Sequence, residues 1–148
     1  MSKSARAAAA GYSGTPLLKK LGYKAEQSAL LVDAPAALKT ILLGAGFRAV
    51  AESAAAKIPK GPFDVAHVFV SERTKLAAAL KQLRERIAQD GMVWVSWPKK
   101  ASKVATDITE DTIRAEALPI GFVDVKVCAV DEIWSGLKLM IRRELRRS

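Results

Sequence analysis

The chain has 148 residues, half of them hydrophobic, and its 24 lysines and arginines against 15 aspartates and glutamates give a formal net charge of +9. This length and apolar content predict one packed core and exclude a disordered chain. No apolar run approaches the roughly 18 residues of a membrane span, and the N-terminus lacks the apolar core of a signal peptide, so we expect a soluble, cytoplasmic protein with no membrane partner. With one cysteine, Cys128, and one histidine, His67, we expect neither a disulfide nor a metal site.

The excess positive charge lies in residues 1–24, 99–103 and 138–148, and the rest of the chain is slightly acidic. Charge confined in this way suits a basic surface that faces a polyanion, although basic ends also keep a small protein soluble. The residues that we assign to this surface are Lys19, Lys20, Lys103, Arg142, Arg143, Arg146 and Arg147.

Residues 1–10 are rich in alanine and predict a flexible tail, which leaves residues 11–148 as a single α/β domain. The first element is a short amphipathic helix over residues 15–22. Thr15 is its expected N-cap, Pro16 its first residue, and Gly22 lies just past its end.

Strands and helices then alternate. Residues 28–33 form an apolar run typical of a strand buried on both faces, and residues 36–44 follow as a helix. The stretch 47–56 is open to two interpretations, a second strand near its start or an alanine-rich helix.

Two further strand–helix units follow. A central strand over 63–70 leads to a helix over 71–90 with Ser71 as its cap, and a strand over 92–97 ends at Pro98. A loop then leads to a helix at about 110–118, whose Glu110 and Asp111 suit the helix dipole.

In the C-terminal part, three valines and Ala129 alternate with Asp124, Lys126 and Cys128 over residues 123–129. Over residues 137–142, Leu137, Leu139 and Ile141 alternate with Lys138, Met140 and Arg142. Alternation across a turn predicts an antiparallel hairpin. The fold class is therefore α/β, a three-layer Rossmann-like sheet that is mostly parallel and ends in an antiparallel hairpin.

A doubly wound sheet with a terminal hairpin resembles the class I S-adenosylmethionine methyltransferase fold. In that family the cofactor lies on a glycine-rich turn after the first strand, and an acid ending the next strand holds the ribose. Here the turn, residues 33–37, has no glycine, and Pro35 removes an N–H donor. Glu52 has near the right spacing for the acid but is more typical of a solvated surface residue. We therefore expect the fold without the cofactor or the activity.

Several strings carry a finer resemblance: GYSGTPLLKKLG at 11–22, DGMVWVSWPKK at 90–100, ATD with ED near 105–111, and VDVKVCAVDE with WSGLKL at 123–139. Over residues 11–143 the chain is similar to a family of small bacterial proteins known only as a domain of unknown function. This resemblance implies no activity.

Ligands of open α/β sheets bind at the carboxyl ends of the strands, where residues 33–35, 71–73 and 97–100 should meet. If residues 11–15 fold over this edge, they add hydroxyl and N–H groups beside two lysines. The candidate ligand-binding residues, for an anion, are Tyr12, Ser13, Thr15, Asp33, Trp97, Lys99 and Lys100. The alternative is an ordinary strand-to-helix loop.

Other residues have simpler interpretations. His67, inside an apolar strand, is expected to be a hydrogen-bonded core residue, and no serine or cysteine nucleophile is placed near it by the sequence. Cys128 is expected to be a small packing or surface residue. Asp107, Glu110 and Asp111 are expected to cap a helix and complement its dipole rather than bind a metal. Trp134 is either an exposed anchor for a partner or packed on the sheet.

Nothing in the chain matches a paired-carboxylate site, a P-loop or a nucleophile elbow. The first hypothesis is a non-catalytic binding or regulatory domain that presents basic ends to an acidic partner such as nucleic acid. The alternative is a small-molecule site, or an enzyme of unknown reaction, at the strand carboxyl ends. A homo-oligomer through the hairpin and Trp134 is a third hypothesis.

Overall fold

The computed structural model describes residues 14–147, together with the backbone alone of Ser4–Ala7 (β1) and Ala9–Ala10 (β2), which pair as a short antiparallel ribbon. The flexible tail predicted for residues 1–10 stays a prediction. Tyr12 and Ser13 lie outside the described residues.

The remaining elements follow in the predicted alternation. They are α1 Thr15–Leu21, β3 Ser28–Val32, α2 Ala36–Leu43, β4 Ala49–Ser53, β5 Phe63–Phe69, α3 Arg73–Arg86, β6 Ile87–Pro98, α4 Glu110–Ala117, β7 Phe122–Ala129 and β8 Trp134–Ile141. Short 3-10 turns occupy Lys100–Ser102, Leu118–Ile120 and Arg143–Leu145. None of these helices has the length and apolar content to cross a membrane.

Six strands form one sheet in the order β4-β3-β5-β6-β8-β7. The first four are parallel, and β8 runs antiparallel to both β6 and β7. The predicted fold class is confirmed: a mostly parallel, methyltransferase-like sheet that ends in an antiparallel strand pair. The open stretch 47–56 contains the edge strand β4.

Each face of the sheet carries its own apolar core. Helices α3 and α4 pack on one face, and the buried side chains they contribute are Leu76, Ala79, Leu80, Leu83, Ile113 and Ala117. Helices α1 and α2 pack on the other with Leu17, Leu21, Leu38 and Leu42, against Val65, Phe69 and Trp94 of the strands. The α1/α2 face is the one that carries the candidate site.

The predicted cap of α1 is wrong by one residue. Gly14 is the N-cap, with a positive φ of 82°, and Thr15 is already helical. A Cβ at position 14 would lie 2.7 Å from Cγ2 of Ile41 on α2. Glycine is therefore needed there for both its conformation and its size.

The helix predicted over residues 71–90 is shorter at both ends. Its cap position is Glu72 rather than Ser71, and the first helical N–H, that of Arg73, is satisfied by the carboxylate of Asp107 at 2.7 Å. At the other end Ile87 leaves the helix and pairs with Phe63. Ile87, the apolar residue that would continue the helical pattern, is therefore buried as part of a strand and not as part of the helix.

Candidate functional site

The turn that follows β3 is held to the end of β4. Asp33 has a φ of 53°, its N–H donates to the carbonyl of Ser53 at 3.1 Å, and its Oδ2 accepts the N–H of Ala55 at 3.3 Å. Pro35 then occupies the N-cap position of α2. The carboxylate of Asp33 is thus engaged by the chain itself.

A cavity of about 580 Å³ lies at the carboxyl edge on the α1/α2 side, a volume within the usual range for small-molecule sites. We call it the α1 cavity. Its apolar wall is formed by Leu17 of α1, Leu38 and Ile41 of α2, and Val130 after β7. Its charged rim contains Lys20, Lys99, Asp131 and Glu132.

Hydrogen bonds hold this rim in place. The N–H of Lys99 donates to the carbonyl of Ile133 at 2.7 Å, which joins the end of β6 to the β7–β8 turn. Within that turn, Oδ1 of Asp131 accepts the N–H groups of Ile133 and Trp134, both at 2.8 Å. Nζ of Lys20 donates to the carbonyl of Ala129 at 2.9 Å. Among the described residues, the side chains of Lys99 and Glu132 make no ion pair.

The structure distributes the predicted ligand-binding residues over more than one place. Trp97 and Lys100 line a second cavity of about 560 Å³, distinct from the one that Lys99 lines. Trp97 packs in the core on the α3/α4 side. Thr15 starts α1, and Asp33 lies in the β3–α2 turn. Of the described residues in that set, Lys99 alone lines the α1 cavity, whose other charged groups the sequence did not single out as ligand-binding.

The predicted basic surface is divided between two edges of the sheet. Lys20 lies at the carboxyl edge, on α1, with Lys19 beside it in the same helix. The C-terminal arginines follow β8 at the opposite edge, because β8 runs against the parallel strands. Arg142 donates to the carbonyl of Leu118 at 3.0 Å, and Arg146 to that of Ile141 at 2.9 Å. Arg143, Arg147 and, after the Lys100–Ser102 turn, Lys103 complete the set.

His67 is a hydrogen-bonded core residue, as predicted. It is fully buried, with Nδ1 2.9 Å from the hydroxyl of Tyr23 and Nε2 2.7 Å from the hydroxyl of Ser96. Burial lowers the pKa of His67 to about 3, so the ring is neutral. The sequence did not place a serine beside it, although Ser96 is also a polar interruption of an apolar strand. Because both groups are buried beneath α1 and Tyr23, this pair is part of the core.

The remaining singled-out residues have structural roles. Oδ1 of Asp107 caps α3, and Glu110 and Asp111 pair with Arg114 at 2.7 and 3.1 Å. Trp134 packs edge-on against Phe69, with ring centroids 5.2 Å apart, so it lies on the sheet. Cys128 is half-buried, and burial raises its pKa against the opposing effect of Lys20 and Lys126. No group of three metal-ligating side chains occurs in the described part of the chain.

Solved structures with a similar fold include S-adenosylmethionine-dependent methyltransferases. The PH0226 protein of Pyrococcus horikoshii matches with a TM-score of 0.64 at 12% identity, over 88% of each chain. A methyltransferase from Aquifex aeolicus gives 0.63 at 15% identity, over 88% of this chain and 90% of its own. The 1,6-didemethyltoxoflavin-N1-methyltransferase of Burkholderia thailandensis gives 0.63 at 13%, over 87% and 76%.

No family model and no curated protein matches the sequence. At these identities the structural likeness shows the fold alone. The chain therefore has a methyltransferase-like fold, and its function has to be argued from its own residues.

Proposed function

We propose that this protein is a non-catalytic binding domain that does not use S-adenosylmethionine, and that its α1 cavity takes a small anionic ligand with an apolar part. The observation that carries the proposal is the α1 cavity itself, an apolar wall with a charged rim in which the side chain of Lys99 makes no ion pair among the described residues. The basic surfaces of the same domain are proposed to face an acidic partner.

The turn after β3 supports the first half of the proposal. A cofactor that lies against a turn needs close approach of the backbone and free N–H donors. Here Pro35 has no N–H, and the carboxylate of Asp33 accepts the Ala55 N–H. Glu52, the acid with ribose-like spacing, is engaged by Lys39 of α2 at 3.1 Å. The groups that would hold the cofactor are thus absent or occupied.

The composition of the α1 cavity supports the second half. Leucine, isoleucine and valine side chains would bury an apolar group, and Lys99 lies at the rim without an ion pair among the described residues. An anionic group of the ligand would gain a charge-assisted hydrogen bond from this lysine. Two acids share the rim, Asp131 and Glu132. The two turn N–H groups bonded to Oδ1 of Asp131 offset part of its charge, and the anionic group is proposed to lie against Lys99.

The test is a thermal-shift panel of S-adenosylmethionine, nucleotides, phosphorylated metabolites and fatty or aromatic carboxylates. At about 100 times its Kd, a bound ligand adds roughly 2.7 kcal/mol to the folded state, which corresponds to an increase in Tm of about 5–10 °C. We expect such an increase for an amphipathic anion and none for S-adenosylmethionine. Binding of S-adenosylmethionine at micromolar concentration, measured by calorimetry, would contradict the proposal that the protein does not use this cofactor. A panel in which no compound raises the Tm would contradict the proposal of an anionic ligand.

Two adjacent lysines provide a matched pair of variants. Lys99→Gln removes the charge at the α1 cavity, and Lys100→Gln removes the same charge from the second cavity. We expect Lys99→Gln to raise the Kd of the ligand about tenfold, the effect of losing one charge-assisted bond, and Lys100→Gln to leave it unchanged. Equal effects of the two variants would place the ligand elsewhere.

A further inference from the structure

We infer that the α1 side of the β7–β8 hairpin binds the phosphate backbone of double-stranded nucleic acid through Lys20, Lys126 and Lys138, which we call the lysine surface. This inference rests on the acidic partner of the proposed function and shares Lys20 with the rim of the α1 cavity, but it does not depend on the ligand of that cavity. It moves the expected contact with an acidic partner away from the C-terminal arginines.

The strand register places two lysines opposite each other. Lys126 of β7 pairs with Lys138 of β8, which pairs in turn with Trp94 of β6. Trp94 packs against α1, so Lys138 faces the same side of the sheet. Lys20 extends from α1 to the end of β7, where its Nζ donates to the carbonyl of Ala129. Three ammonium groups thus lie on the same side of one hairpin.

Like charges directly opposite on neighbouring strands are destabilising. None of the three lysines makes an ion pair with any residue in the described part of the chain. The acid nearest in sequence on β7, Asp124, bonds instead to Nε of Arg114 at 2.9 Å. Burial and the charge of Lys126 both lower the pKa of the half-buried Lys138, as expected for a cation without an anionic partner. A bound anion would supply the missing charge.

The spacing of the lysines fits a linear anion. Ala129 lies three residues beyond Lys126, a distance of about 10 Å along an extended strand. One strand of a duplex carries a phosphate for about every 3.4 Å of its axis and winds around that axis, so successive phosphates are farther apart in space than this rise, and the lysines can reach two neighbouring phosphates. The net charge of +9 would also favour approach to such a polyanion.

The aromatic residues favour a duplex over a single strand. Proteins that bind single strands stack exposed aromatic rings on the bases. Beside the lysine surface, Trp94 is fully buried and Trp134 packs on Phe69. Contacts to phosphates alone are also stronger with the higher charge density of a duplex.

The experiment measures anisotropy of a fluorescent duplex of about 20 base pairs with the full chain, between about 20 and 200 mM NaCl. In the double variant Lys126→Gln with Lys138→Gln, the slope of log K against log salt should become shallower by about 1.8, the value for two phosphate contacts. The matched control, Lys57→Gln with Lys81→Gln, removes two exposed lysines that flank core residues on the α3/α4 side. It should keep the wild-type slope.

A second measurement separates binding from folding. Removing a pair of like charges should leave the Tm of the double variant equal to or above that of the wild type, while its affinity for the duplex falls. The inference is overturned if the duplex does not bind at the lowest salt, or if the control loses as much slope as the double variant. Tighter binding of a single strand, or of a polyglutamate peptide with the same charge, also overturns it.

Discussion

Lowering the pH from 7 to 5 is expected to lower the free energy of unfolding by about 2 kcal/mol, through His67. The pKa of this residue is about 3 in the folded protein, against an ordinary value of 6.5. Its contribution to stability is therefore fully present above pH 6.5. Below that value the unfolded chain takes up a proton that the folded protein does not, and stability is lost as the pH falls toward 3.

The physical cause is the position of the ring. His67 is fully buried in β5, with both nitrogens hydrogen-bonded to hydroxyl groups and its ring stacked on Phe69 at a centroid distance of 4.3 Å. A neutral imidazole offers one donor and one acceptor, and the hydroxyls of Tyr23 and Ser96 can complement either tautomer. A charged ring would donate from both nitrogens and would lose its hydration, with no carboxylate bonded to either nitrogen.

This prediction is checked by urea denaturation at pH 7 and pH 5. His67 is the only histidine of the chain, so no other side chain with an ordinary pKa titrates in this interval. Arg114 lowers the pKa of Asp124, and the stability that this pair contributes is lost only below the interval. The His67→Gln variant is the control, and its stability should change little between the two pH values. A wild-type protein that is equally stable at both would contradict the burial of a neutral histidine.

The alternation of apolar runs and helical patterns was sufficient to predict the order of the elements and the fold class. The pattern was not sufficient where a helix and a strand would bury the same residue equally well. Ile87 continues the leucine pattern of α3, but it is buried as the first residue of β6. Similarly, Ala49–Ser53 within the open stretch 47–56 form strand β4, because β3 offers an edge for parallel pairing.

The candidate site was harder to predict because it depends on which residues the fold brings together. Lys99 and Lys100 are adjacent in sequence but line different cavities, since the chain turns at the end of β6. The pairing of Lys126 with Lys138 depends on a bulge between Asp124 and Lys126, which shifts the register by one residue. Such a shift turns side chains to the other face of a sheet, and nothing in the local sequence shows it.

Replacing Trp94 by alanine should lower the free energy of unfolding by about 3–5 kcal/mol, the cost of emptying a large buried aromatic site. Trp94 is fully buried, and its Nε1 donates to the carbonyl of Leu21 at 2.9 Å. That carbonyl belongs to the last residue of α1, where a helix leaves its C=O groups without helical partners. The indole therefore both fills the core beneath α1 and attaches the end of this helix to the sheet.

The space around Trp94 is tightly defined, since a Cβ added at Gly136 of β8 would lie 3.1 Å from the indole ring. Trp94→Phe should cost less than Trp94→Ala, because it keeps the ring contacts and loses mainly the hydrogen bond. Urea denaturation followed by circular dichroism measures both, with Trp134→Ala as the control for a half-buried tryptophan on the same face. If Trp94→Ala lowers the free energy of unfolding no more than Trp134→Ala does, α1 is not anchored by the indole.

If the indole does anchor α1, Trp94→Phe should also weaken ligand binding in the α1 cavity, because this helix positions Leu17 and Lys20.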